Sequence, residues 1–160
     1  MGSINLAEFV NEDGNFNFDS FKDAVEKSVV ALNEVLDEGS PLLPLREQYE
    51  SVRDWSQIGL GIMGLADMLI KMHITYGSKE AIDICDKIGF VMADTAIAQS
   101  AMLAKEHGTF PKFDADNTFK SKYFDANTSY KTVQLVQKYG LRNSQLLTIA
   151  PTGLELIGSV

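Results

Sequence analysis

The segment from Ser78 to His107 constrains the fold of this chain more than any other. Ser78 is a good N-cap, and the residues behind it carry a helix that spans roughly 42 Å at 1.5 Å per residue. Gly108 stops it, and Phe110-Pro111 confirms the stop. Its second half bears Ala93, Ala96, Ala98, Ala101 and Ala104, small side chains that let a neighbouring helix approach closely. A chain of 160 residues built around such a rod is expected to be a single, mainly α domain over 1–160, with a few short strands.

The flanking segments fit that frame. Residues 3–10 read as a short strand or extended lead-in with Ile4 and Leu6 on one face, closed by the turn at Asp13-Gly14. From Asp19 as N-cap, Phe21, Val25, Ser28, Val29, Leu32 and Leu36 recur at helical spacing until Gly39 and Pro41. Residues 41–55 read as irregular. A second helix is expected from about Ile58 to Met72 and a last one from about Ser129 to Tyr139, burying Val133 and Val136. Between them, residues 112–127 are polar and aromatic, with Phe113, Phe119, Tyr123 and Phe124 as anchors onto the body.

Composition excludes several functions. A formal net charge of −8 argues against a nucleic-acid backbone or an anionic membrane as the main partner. No apolar run reaches the ~20 residues that span a bilayer, and no signal-peptide pattern opens the sequence. The one cysteine, Cys85, cannot form an internal disulfide and fits a reducing, cytoplasmic setting. It lies among Ile82, Ile84 and Ile88 with no basic neighbour, so it reads as a buried, inert thiol. His73 and His107 stand singly near helix ends without a second ligand at metal spacing, so no metal site is expected. The acidic pairs Glu12/Asp13, Asp37/Glu38 and Asp114/Asp116 read as solvated, and Met63, Met68, Met72, Met92 and Met102 as core filling.

Two stretches suggest binding. Gly59-Leu60-Gly61-Ile62-Met63-Gly64 matches the dinucleotide fingerprint G-x-G-x-x-G. The context disagrees: residues 52–57 are not an apolar strand, and the acid expected about twenty positions on is Glu80, inside a capped helix. The competing reading is close packing, in which glycines remove side chains where another backbone approaches. The second stretch is Gly140 to Gly153. A polar turn (Arg142, Asn143, Ser144) leads into the apolar run 146–150, which ends in Pro151-Thr152-Gly153. A buried strand opening into a small-residue loop offers backbone N–H groups and one hydroxyl to a phosphate. An ordinary strand-to-turn junction has the same composition.

Taken in order, GSINLAEFV, DWSQIGLGIMGLADML, YGSKEA, AKEHGTFPKF and GLRNSQLLTIAPTG resemble the catalytic subunit of ribonucleotide reductase from Gly2 to Gly153. The adenosylcobalamin-dependent class is the most similar, with the large subunit of the oxygen-dependent class next. The resemblance implies a helical segment of an α/β barrel in which the glycine triplet serves packing. It implies that Pro151, Thr152 and Gly153 contact substrate phosphates. The parent reaction makes deoxyribonucleotides for DNA synthesis. A thiyl radical removes the ribose 3′ hydrogen, the 2′ hydroxyl leaves as water, and two further thiols supply electrons. Adenosylcobalamin is implied for the parent enzyme; none is expected to bind this chain.

The family's radical cysteine and its reducing cysteines have no counterpart among these residues, and no catalytic residue is assigned. Residues 154–160, LELIGSV, also depart from the family's hydroxyl-bearing continuation. A frameshift, a cloning scar or divergence each accounts for that tail. The expectation is therefore a reductase fragment that is inactive alone and binds a ribonucleotide weakly. Two alternatives stand beside it. One is a non-catalytic interaction module that self-associates through uncovered apolar faces; the other is a dinucleotide-binding protein using Gly59, Gly61 and Gly64.

Overall fold

The computed structural model describes residues 1–149. The expectations for Pro151, Thr152, Gly153 and the tail 154–160 lie outside them. The elements run β1 (Gly2–Asn5), a 3-10 turn (Leu6–Phe9), α1 (Phe18–Gly39), a second 3-10 turn (Ser40–Leu42), α2 (Arg46–Trp55) and β2 (Leu60–Met63). Then follow α3 (Leu65–Lys71), α4 (Lys79–His107), α5 (Ala115–Phe119), α6 (Lys122–Ala126) and α7 (Tyr130–Tyr139). The fold is mainly helical.

β1 and β2 pair in parallel, with Gly2 opposite Leu60 and Asn5 opposite Met63. A parallel pair needs a long crossover, and α1 and α2 supply it. A third extended segment joins the far side of β2 through a parallel bridge between Leu60 and Leu147. Helices α3 to α7 make that second crossover. Two successive parallel strand–helix–strand steps are the repeating unit of an α/β barrel wall.

The core forms where α4 packs against α1 on one side and α7 on the other. The alanine face is largely as the sequence suggests: Ala93, Ala96, Ala101 and Ala104 are buried, while Ala98 is only half-buried. On α1 the buried ladder is Phe21, Val25, Val29 and Asn33, in steps of four. Ser78 accepts a hydrogen bond from the Ala81 N–H at 3.1 Å. Ser78→Ala is expected to lower stability by about 1 kcal/mol in urea denaturation, because one orphan donor loses its acceptor.

The structure corrects several expectations. The N-cap of α1 is Asn17, whose side chain accepts from Ser20 N–H, and not Asp19, which sits in the first turn. The extended lead-in ends at Asn5 and tightens into the 3-10 turn, because Asn5 caps Ala7 N–H at 3.2 Å. Residues 46–55 are helical although none of them is buried. An Arg46–Glu50 pair at 2.8 Å, one turn apart, and Ser56 in the left-handed region at φ 45° complete that helix. The expected helix 58–72 opens instead as β2, and α3 starts only after Gly64. Residues 112–127 fold into α5 and α6, in which Phe124 is buried but Tyr123 is 57% exposed. No helix of the described residues is long and apolar enough to cross a membrane.

Candidate functional site

The segment that leads toward Pro151 is tied down at every step. Gly140 ends α7 at φ 73°, and a Cβ there would run into the Thr109 methyl and the Phe113 ring. The guanidinium of Arg142 donates to both carboxylate oxygens of Asp37 on α1, at 2.9 and 3.1 Å. Asn143, 1% exposed, follows. Its Nδ2 donates to Asn33 Oδ1 at 2.8 Å and to the Ser56 carbonyl at 2.9 Å. Its Oδ1 accepts from Ser100 Oγ at 3.0 Å and from Asn33 Nδ2 at 3.2 Å. Its backbone N–H donates to Ser100 Oγ at 3.1 Å. Among the described residues no buried side-chain polar atom lacks a partner.

Backbone pairing takes over beyond this cluster. Ser144 N–H donates to Trp55 O at 3.1 Å, Ile58 N–H to Gln145 O at 3.0 Å, and Leu60 N–H to Leu146 O at 2.9 Å. Thr148 N–H closes the run by donating to Leu60 O at 3.1 Å. Of the buried strand expected over 146–150, the described residues form one parallel bridge at Leu147 with flanking backbone bonds over 145–148, and only Leu146 is buried. Leu146 is buried, while Ile149 is 70% exposed where the described chain ends.

The glycine triplet borders this segment. A Cβ on Gly59 would lie 2.7 Å from the Thr148 methyl, and one on Gly61 would lie 2.6 Å from the Thr148 carbonyl oxygen. Gly64 caps α3 at φ 72°, and a Cβ there would collide with Asn5 Oδ1. In a dinucleotide site such close-approach space receives a pyrophosphate, and the strand precedes the first glycine. Here β2 runs between the glycines, and the protein's own Thr148 and Asn5 fill the space. Glu80 lies in the first turn of α4, not at a strand end.

The other residues singled out in the sequence lie elsewhere. Cys85 is half-buried rather than buried, and lines an apolar cavity of about 410 Å3 with Leu60, Ile88, Met92 and Leu147. Burial, and secondarily the charge of Asp86, push its thiol pKa up, which disfavours the reactive thiolate. His73 and His107 are exposed and 34 positions apart, the first in the turn after α3 and the second at the last residue of α4. No group of three metal-ligating side chains occurs among the described residues. Met68 and Met92 are core residues, and Met72 packs against the core.

Sequence reading passed over Asn33 and Ser100, and took Asn143 for part of a polar turn. A signal was present for the first two. Asn33 continues the Phe21-Val25-Val29 ladder, and Ser100 interrupts the alanine face. A polar residue on a buried face announces a partner.

Residues 1–154 match the family model described as ribonucleotide reductase, barrel domain. The chain belongs to the ribonucleotide reductase family. It is 33% identical to the vitamin B12-dependent ribonucleoside-diphosphate reductase of Thermoplasma acidophilum, over 96% of this chain and 18% of that protein. The enzyme of the same name from Mycobacterium tuberculosis is 32% identical, over 96% of this chain and 19% of its own length. The ribonucleoside-diphosphate reductase subunit alpha of Chlamydia pneumoniae is 30% identical, over 95% of this chain and 16% of its length. The chain thus spans under a fifth of these relatives. Within the ribonucleotide reductase barrel domain, the parallel strands and their helical crossovers are a stretch of barrel wall, as the sequence resemblance implies.

Proposed function

We propose that this segment of ribonucleotide reductase wall presents Pro151, Thr152 and Gly153 to the phosphates of a ribonucleoside diphosphate. The observation that supports the reading is the run 145–148, held to β2 by backbone hydrogen bonds, three residues ahead of Pro151 in sequence. The relatives named as ribonucleoside-diphosphate reductases supply the substrate class. A loop of this composition would hold phosphate through backbone N–H groups and the Thr152 hydroxyl. The 160 residues supply one thiol, Cys85, whereas radical reduction with a dithiol needs three. We therefore read the chain by itself as catalytically silent, belonging to a reducing, cytoplasmic setting.

Affinity for the isolated chain is expected near ~1 mM, since one loop offers few contacts against the entropy of association. Calorimetry with ADP tests this. Thr152→Val should weaken binding more than about tenfold, as expected for loss of one hydrogen bond to a charged group. Equal affinity in the variant would remove Thr152 from the site, and NADH binding without ADP binding would favour the dinucleotide reading.

One observation favours a second reading, an interaction module. Val35, Leu42 and Leu45, 68%, 82% and 54% exposed, lie on α1 and the segment between α1 and α2. Val35 borders an apolar groove of about 460 Å3 with Leu32, Leu36, Leu43 and Val52. Exposed apolar surface of this kind drives association. Light scattering at rising concentration should show a larger species if this reading holds, and a constant monomer mass if it does not.

A further inference from the structure

We propose that Asn143, with Asn33, Ser100 and the Ser56 carbonyl, is a register lock that fixes segment 145–148 along β2. It thereby sets where the described chain leaves β2 at Ile149, ahead of the loop proposed to face phosphate. The proposal rests on the phosphate-facing reading of that loop, and it makes Asn143 a positioning residue.

Hydrogen bonds of a parallel pair do not by themselves specify register, because a strand displaced along its partner can remake them. Slippage by one residue, about 3.3 Å, would put another side chain where Thr148 now sits. That place is narrow. Gly59 and Gly61 leave just enough room for the Thr148 methyl and carbonyl, and a bulkier leucine at this point would clash. Slippage by two residues keeps every side chain on its own face, and in the direction that would bring the small Ala150 to this place the glycines oppose it less. Asn143 opposes it instead.

The Asn143 amide has two donors and two acceptor positions, and all four are used. Displacement of two residues would withdraw the amide from its partners and leave the Asn33 and Ser100 side chains unsatisfied in the core. An apolar anchor would tolerate a fraction of an ångström; a fully used amide has one position. Its partners come from α1, α4 and the end of α2, separated in sequence by 110, 43 and 87 residues. Segment 145–148 is therefore referenced to α1, α4 and the end of α2, and not only to α7, which precedes it. This matters for an anion cradle made of backbone N–H groups, which works only at hydrogen-bond distance.

The test is amide hydrogen exchange on the full chain, comparing wild type with Ser100→Ala, a milder variant than any change at Asn143. Exchange at Leu60 and Thr148, donors of the inter-strand bonds, should accelerate about tenfold, while Ala93 on α4 and Val136 on α7 change less than about threefold. The core variant Val25→Ala, read at matched conditions, should accelerate all four sites alike. Uniform acceleration in Ser100→Ala, or none at Leu60 and Thr148, would overturn the lock. ADP titration of the same samples separates the two ideas. Binding weakened in Ser100→Ala together with selective exchange supports both. If wild type binds no ADP, the phosphate reading fails and the lock is decided by exchange alone.

Discussion

Asn143→Ala is expected to lower the unfolding free energy by about 3–5 kcal/mol, the largest effect of any single polar substitution here. The change removes every side-chain bond described for Asn143. It strands Asn33 Oδ1, the Ser56 carbonyl and one role of Ser100 in a region where Ser100 is 0% and Asn33 4% exposed. Each orphaned buried group costs about 1–3 kcal/mol, so several together dominate the small loss of apolar contact. Urea denaturation followed by circular dichroism measures it, and a loss below about 1 kcal/mol would contradict the geometry.

Asn143→Asp sharpens the point. The new carboxyl oxygen would face two acceptors, Asn33 Oδ1 and the Ser56 carbonyl. Burial and these oxygens raise the folded pKa of the introduced carboxyl above its unfolded value of about 3.9. The folded state then binds the proton more tightly. Stability of this variant relative to wild type should fall as pH rises from the unfolded value through the raised one, and return on acidification. Wild type has no such titration at this position.

Gly61→Ala is expected to cost about 2–3 kcal/mol, because the added methyl meets a backbone oxygen and not a side chain that can swing away. The Thr148 carbonyl can yield only if the 145–148 segment moves off β2. Gly89→Ala is the contrasting case. Gly89 lies within α4, a Cβ there has nothing within 4 Å, and the substitution should stabilise by up to about 1 kcal/mol. Thermal unfolding of the pair should therefore move in opposite directions. A neutral Gly61→Ala would mean that the third extended segment does not sit against β2 as described.

Much of the frame was legible because its signals are local. Ser78 and Gly108 bound α4, and of the alanines in its second half all but Ala98 are buried in the core. α2 was not legible: with no buried residue it has no apolar stripe to read, and Pro41 and Pro44 ahead of it suggest a loop. β2 was not legible either. Glycine disfavours strands, and Leu60–Met63 becomes one only because β1 and 145–148 approach on both sides. The letters of the G-x-G-x-x-G fingerprint were plain, but their purpose depended on Thr148, far along the chain. Asn143 shows the same limit, since its partners lie dozens of residues away and no window of sequence contains them. The resemblance to ribonucleotide reductase bridged that gap for the fold. The roles it implies for Pro151, Thr152 and Gly153 remain proposals.

The central claim is that the glycines at 59, 61 and 64 make room for the protein's own Thr148 and Asn5, and its proposed counterpart is that Thr152 and Gly153 contact the nucleotide. Backbone NMR of the labelled chain, titrated separately with ADP and with NADH, tests it most directly. The account predicts that ADP shifts Thr152 and Gly153 while Gly59, Gly61 and Gly64 stay in place, and that NADH moves none of the three glycines. Shifts centred on those glycines with either ligand, and a silent Thr152, would contradict it.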